Sequence, residues 1–195
     1  VFNVKYLLAS QKIEHPGLIP VYQGRDKIVY FNRLYLPRVR WVPGYRVIKE
    51  SPAALNFLYS PDFNPVKEVV LEEDPGIPPA GPAAAAKGTN TLTVEKWTLN
   101  EMVFKADVVR PSFLVLSEIY YPKWRCYVDG KQVKIFKTDY LFRSVWLAEG
   151  RHDVVFRYHN DGLYVLTLLI ALSSGLFLIV FILRKRKKYF DFPPA

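Results

Sequence analysis

Few residues in this chain have the types and spacing that chemistry requires. There are three histidines, His15, His152 and His159. The last two lie seven apart on one expected strand, so they point to opposite faces and share no metal. No Gly-x-Ser-x-Gly elbow accompanies them. No phosphate-cradling glycine loop or dinucleotide fingerprint occurs. Glu72-Glu73-Asp74 is the densest acidic run. It adjoins a stretch rich in proline and alanine and reads as a solvated loop. Glu118, inside FLVLSEI, is more demanding, because a carboxylate in so apolar a strand needs a partner. Arg143, between Leu141 and Val145, can be that partner in a structural ion pair. The single cysteine, Cys126, allows no internal disulfide, and its neighbours suit a small core residue. No catalytic, metal or cofactor-binding residue is therefore expected here, and no cofactor.

Aromatic residues are the other resource: four Trp, thirteen Tyr and thirteen Phe. IYYPKWRCY gathers Tyr120, Tyr121, Trp124 and Tyr127. Exposed aromatic faces hold sugar rings, although packing explains such residues more simply. Tyr120, Tyr121 and Trp124 are the candidates for glycan or acceptor contact.

The elements that would position these residues are mainly strands. In WRCYVDGKQVKI, Asp129-Gly130 supplies the positive-φ pair of a two-residue type I′ hairpin. Folding there pairs Val128 with Lys131, Cys126 with Val133, and Trp124 with Ile135. Those residues share one face; Arg125, Tyr127, Gln132 and Lys134 share the other. Further strands are expected at Thr91–Leu99, Glu101–Val109, Phe113–Ile119, Tyr140–Leu147 and His152–Tyr158. Phe113–Ile119 is nearly all apolar, as suits a central strand covered on both faces. Seven strands at this spacing predict an antiparallel β-sandwich over 90–160.

Residues 1–75 read as a separate, small α+β unit. Its strands are Asn3–Ala9, Leu18–Tyr22, Lys27–Asn32, Val39–Val42 and Val66–Leu71, with Gly24-Arg25-Asp26 as a turn. SPAALNFLYSPDFNP holds its helix, with Ser51 as cap and Pro52 at the first position. Residues 76–89, GIPPAGPAAAAKGT, break every periodicity and read as a linker. The fold class expected is thus mainly β with minor α, followed by one transmembrane helix.

That helix is Leu163–Leu183, 21 residues without a charge, fifteen of them Leu, Ile, Val or Phe. Such a helix spans roughly 30 Å, the thickness of a bilayer core. Five cations, Arg184, Lys185, Arg186, Lys187 and Lys188, follow at once. By the positive-inside rule they set the topology. The tail 184–195 is expected in the cytoplasm and residues 1–160 outside. Tyr164 and Tyr189 suit the two interfaces. Thr167, Ala171 and Gly175 recur every four residues and offer a face for packing against another helix. The domain boundaries expected are 1–75, 76–89, 90–160, 161–183 and 184–195. The first residue is Val, which suggests a piece of something longer.

The net charge is +9. Nearly half of that excess lies in the tail beside the apolar helix, which favours membrane over nucleic acid. No nucleic-acid motif is present.

SFLVLSEIYYPKWRCYVDGKQVKIFKTDYLFRSVWLAEGRHDVVFRYH resembles the C-terminal external domain of the bacterial YfhO membrane-protein family. The shared pattern is Leu114–Ser117, Tyr120–Trp124, Tyr127–Lys131, Tyr140–Arg143 and Gly150–His152. NVKYLL, Leu36-Pro37-Arg38 and SPDFNP are also similar to that family. Two departures are Lys123, where the family usually has Gly, and Cys126, where it has Ala. The resemblance implies a large multi-span protein of the GT-C glycosyltransferase type. Such proteins take sugar from a polyprenyl-phosphate carrier outside the membrane, and relatives are linked to sugar decoration of cell-envelope polymers. The catalytic acid would lie in an N-terminal membrane body, so no catalytic residue is carried over.

Two function classes follow as expectations. In one, the chain is a non-catalytic external domain and last helix of a GT-C-like protein in a bacterial cell membrane. Its partners would be the lipid bilayer, an N-terminal transmembrane bundle of the same chain, and a cell-envelope polymer or polyprenyl-phosphate sugar. In the other, it is a single-pass surface protein whose sandwich binds glycans or proteins.

Overall fold

The computed structural model describes residues 3–77, 88–159 and 161–190. In chain order the elements begin with β1 (Tyr6–Ala9), β2 (Leu18–Gln23), β3 (Ile28–Asn32), β4 (Val39–Val42) and β5 (Gly44–Val47). Then come α1 (Ser51–Leu58), β6 (Glu68–Leu71), β7 (Thr91–Trp97), β8 (Glu101–Val108) and β9 (Ser112–Ile119). The last are β10 (Trp124–Val128), β11 (Lys131–Val133), β12 (Phe136–Thr138), β13 (Phe142–Leu147), β14 (Gly150–Tyr158) and α2 (Asp161–Phe190). The chain divides into two compact units, Val1–Tyr158 and His159–Ala195.

The first unit is built on two larger sheets. One has five strands in the order β11-β10-β14-β8-β7, and the other six in the order β4-β9-β13-β12-β6-β5. Their facing sides meet in a core that includes Phe104, Leu114, Leu116, Cys126, Val145, Val154 and Phe156. This is the expected β-sandwich. Strand β9 is central to the six-stranded sheet, and Ser112–Leu116 are all buried. Leu114 and Leu116 face the five-stranded sheet. Phe113 and Val115 pack on the opposite side, with Val42, Val69, Leu71 and Phe136. An apolar run buried on both faces is what that sequence demanded.

The expected boundary between 1–75 and 90–160 is not a boundary of the sheets. Strand β4 pairs with β9, and β6 meets β12 at Leu71 and Thr138. Within residues 1–75, therefore, β4, β5 and β6 complete the larger sheet, while β1, β2 and β3 pair only with one another. The reason is area: β4 and β6 are four residues each and bury Val42, Val69 and Leu71 only by joining the larger sheet. Most of the expected linker, residues 78–87, lies outside the described residues.

Strand pairing also departs from a wholly antiparallel arrangement. β5 and β6 run parallel, with α1 in the crossover between them. Ala54 and Leu58 of α1 pack with Phe63 and Val70. Ser51 does not cap this helix. Glu50 holds the cap position with no side-chain bond, and proline fills the first turn. A third sheet, β1-β3-β2, completes the unit. Gly24 donates its N–H to Lys27 O at 2.8 Å, closing the turn from β2 to β3.

The second unit is α2, thirty residues long. Its stretch Leu166–Lys185 has a mean hydropathy of 2.7, long and apolar enough to cross a membrane. The helix does not stop at Leu183. It continues through the five cations to Phe190, because Arg and Lys are good helix formers. The final residues 191–195 are outside the described set.

Candidate functional site

The hairpin of β10 and β11 forms as its turn dictates. Asp129 and Gly130 have φ of 51° and 78°, which suits type I′ geometry. Cys126 pairs with Val133, and Val128 with Lys131. The expected Trp124–Ile135 pair does not form, since β11 ends at Val133. Trp124 pairs instead with Tyr158 of β14. Ile135 and Trp124 still pack on the same core.

Trp124 covers a buried cation. The Arg143 guanidinium lies 4.1 Å from its ring centre and 5.9 Å from that of Phe156. Arg143 pairs with Leu116 in the β13–β9 register. Parity therefore turns it inward with Val145, into the space between the sheets. Only 2% of it is exposed. One guanidinium nitrogen donates to Ile119 O at 3.4 Å, and another reaches Glu118 at 4.0 Å. Burial lowers its pKa to about 10, against the opposing pull of Glu118. The cation persists at neutral pH, held by ring faces and one carboxylate.

The expected Glu118–Arg143 contact is thus present but loose. The tighter partner of Glu118 is Arg38, which donates Nε at 2.6 Å and a second nitrogen to the same oxygen. Arg38 in turn lies 4.5 Å from the ring centre of Trp97. On the other side, Trp124 meets Tyr158 edge-on at 5.5 Å, and Tyr158 stacks on Tyr121 at 6.2 Å. A ladder of rings and cations therefore runs Trp97, Arg38, Glu118, Arg143, Trp124, Tyr158, Tyr121. Arg38, Trp97 and Tyr158 were missed in the sequence. The signal available was Arg38 in a Leu-Pro-Arg segment, but its partner lies 80 residues away.

Of the candidate contact residues, Trp124 is half-buried and engaged with Arg143. Tyr120 is half-buried, and its N–H donates to Leu141 O at 2.7 Å. Tyr121 is 49% exposed. It alone of the three presents a large open surface, backed by Tyr158.

A second buried charge pair ties the six-stranded sheet together. Arg40 donates to Asp139 Oδ2 at 2.6 Å, and Asp139 Oδ1 accepts the Val70 N–H at 2.8 Å. Burial pushes Asp139 up and Arg40 down, while their contact works the other way. On the outer face of the five-stranded sheet, an open cleft of about 400 Å³ lies beside Asp129 and His152. Asp129 accepts the Asp153 N–H at 2.9 Å and faces His152 Nδ1 at 2.7 Å. The bond to His152, then that to the Asp153 N–H, holds the Asp129 carboxyl below its ordinary value. His159 lies beyond the end of β14, so it does not share a strand with His152.

Residues 82–170 match the family model described as bacterial membrane protein YfhO. Over this stretch the chain is similar to that family. No curated protein and no solved structure matches the chain.

The YfhO stretch takes in β7 to β14 and the first turns of α2. It therefore contains every rung of the ladder except Arg38. Cys126 is fully buried in the sandwich core, and burial pushes its thiol pKa up. It is a packing residue, not a nucleophile. The acidic run is tied to lysines: Glu72 meets Lys137 at 2.6 Å and Glu73 meets Lys134 at 2.7 Å. Among the described residues no cluster of His, Cys, Asp or Glu could hold a metal ion. Thr167, Ala171 and Gly175 lie on α2 at successive turns and are exposed. Arg184 and Lys185 follow the apolar stretch, and the helix backbone carries on through Arg186, Lys187 and Lys188.

Proposed function

We propose that this chain is the C-terminal, non-catalytic external domain and membrane anchor of a multi-pass, GT-C-like protein. The whole protein would glycosylate cell-envelope polymers with sugar from a polyprenyl-phosphate carrier. The observation that carries this reading is the extent of the family match. It runs without interruption from the β-sandwich into α2. Two residues separate β14 from α2. A module joined so directly to a span is suited to working beside the bilayer.

The buried charges support a structural role. Arg40 and Asp139 are closed in by the six-stranded sheet, and Arg143 is enclosed by Trp124 and Phe156. Each stabilises the scaffold and none is poised over an open cleft. Acid–base work would need a titratable group within reach of substrate. The proposed task is to cover or orient the acceptor, with the open face of Tyr121 against a sugar ring. Tyr158 backs that ring and Trp124 packs on Tyr158, with Tyr120 beside them in the chain. The module needs no cofactor for this. Residues 1–160 lie outside the membrane and the basic end of α2 lies in the cytoplasm. Thr167, Ala171 and Gly175 face the other helices of the bundle.

The test is sugar transfer. The chain reconstituted in vesicles, supplied with polyprenyl-phosphate sugar and acceptor polymer, transfers nothing on this reading. Transfer by the chain alone would contradict the division of labour.

A further inference from the structure

The three-stranded sheet β1-β3-β2 has one face that the rest of the fold does not cover. Tyr6 and Ile19 both pair with Phe31, and Leu8 and Tyr22 both pair with Val29. Partners directly across a sheet share a face. These six side chains therefore form one apolar and aromatic surface. Tyr6, Leu8 and Tyr22 are 56%, 63% and 65% exposed. On the reverse face, Tyr30 is buried and its hydroxyl accepts the Ile13 N–H at 2.8 Å. The sheet is thus anchored by one side and bare on the other. Three short strands with a bare apolar face need something to lie against it.

The surroundings of that face say what the covering is. Tyr6 and Phe31 pack at 5.7 Å, and Phe31 meets Tyr35 edge-on at 6.1 Å. Lys5 lies over both Tyr6 and Tyr35. Lys12, Arg25, Lys27 and Arg33 are all exposed in the same segment. Against them stand only Glu14 and Asp26, so residues 3–35 carry a net +3. Tyrosines and aliphatics with Lys5 over the rings and further exposed Lys and Arg in the same segment have the composition of a surface that sits at the headgroup and acyl boundary of an anionic bilayer. A protein-binding core would be depleted in lysine. Residues 82–170 are also similar to a membrane-protein family, and the chain carries a long apolar helix. A bilayer is therefore its constant neighbour.

We propose that the Tyr6–Leu8–Ile19–Tyr22–Phe31 face of this sheet is a second membrane contact, seated on anionic lipid and independent of α2. It does not depend on the glycosylation reading.

The test uses the full chain in sealed vesicles of phosphatidylcholine and phosphatidylglycerol, in a Cys126→Ala background. An environment-sensitive fluorophore is placed at Leu8→Cys, at Tyr22→Cys and, as a control, at Lys131→Cys in the exposed hairpin turn. Melting curves first establish that each labelled chain keeps the parent's fold. Labels at positions 8 and 22 should lose most of their intensity to a lipid-borne quencher and resist aqueous iodide. The label at 131 should do the opposite. The lipid quenching should fall by severalfold when phosphatidylglycerol is replaced with phosphatidylcholine or when Lys5 and Lys27 are changed to Glu. Labels at 8 and 22 that are as open to iodide as the control would overturn the proposal. So would labels shielded from iodide but untouched by the lipid quencher, since that result assigns the face to a second copy or another protein. Quenching indifferent to lipid charge would overturn the assignment to anionic lipid.

Discussion

Arg40 and Asp139 lie 99 residues apart in sequence and meet at 2.6 Å, with both side chains closed off from solvent. The contact joins β4 to the residue that follows β12. Asp139 has φ of 50°, a conformation that Asn also accepts. Asp139→Asn therefore removes the charge while keeping the backbone and an acceptor for Val70. It should destabilise the fold by about 3–5 kcal/mol, because a buried guanidinium is left without its counter-ion. Adding Arg40→Met should restore much of the loss. Denaturant unfolding of the three variants checks both effects, and a fully additive double variant would contradict the pairing.

Gly130 sits at φ of 78°, with open space where a side chain would begin. The cost of a side chain there is conformational and not steric crowding. Gly130→Val should lower stability by about 1–2 kcal/mol, and Gly130→Asn by less. Unchanged melting of Gly130→Val would contradict the turn geometry.

Asp129 gives the hairpin a pH dependence. Its carboxyl is held below the ordinary value by His152 and the Asp153 N–H. Its stabilisation is therefore complete above the unfolded carboxylate pKa and is lost as pH falls through the lower folded value. The parent's melting temperature should drop more steeply on acidification through that range than that of Asp129→Asn. Parallel curves would contradict the assignment.

The ladder separates packing from contact. Trp124→Ala uncovers Arg143 and opens the sandwich edge, and should cost about 3 kcal/mol. Tyr121→Ala removes a half-exposed ring and should change stability by no more than about 0.5 kcal/mol. The proposed function predicts that the same variant weakens sugar transfer in cells by a full-length protein that carries this chain. Loss of stability at Tyr121 equal to that at Trp124 would contradict this separation.

What was legible in the sequence was local. The Asp129-Gly130 turn, the doubly covered β9 and the apolar α2 each follow from a few neighbouring residues. Strand partnership was not legible. β4 and β6 read as strands, but nothing in VRWV or EVVL says that their edges complete a sheet begun after residue 110. The parallel β5–β6 pair has the same origin, since a crossover through α1 leaves no local mark. Arg40 illustrates the problem at a single site. It stands between Val39 and Trp41 with no acidic neighbour in the sequence, and only the distant Asp139 makes its burial tolerable. Glu118 announced its need for a partner, and Arg143 was within reach. The better donor, Arg38, comes from a segment whose position depends on the β4–β9 pairing. The bare face of β1-β3-β2 was hidden for a simpler reason: its alternation is apolar on both sides, so no pattern distinguished the covered face from the open one.

The account rests on α2 crossing the bilayer once, with the β-module outside and the cation cluster inside. Site-directed cysteine labelling in intact cells tests this most directly, using Lys131→Cys and Lys185→Cys in a Cys126→Ala background. A membrane-impermeant maleimide added from outside should label position 131 and leave position 185 unlabelled until the cells are opened. Labelling of both positions from outside, or of 185 alone, would contradict it.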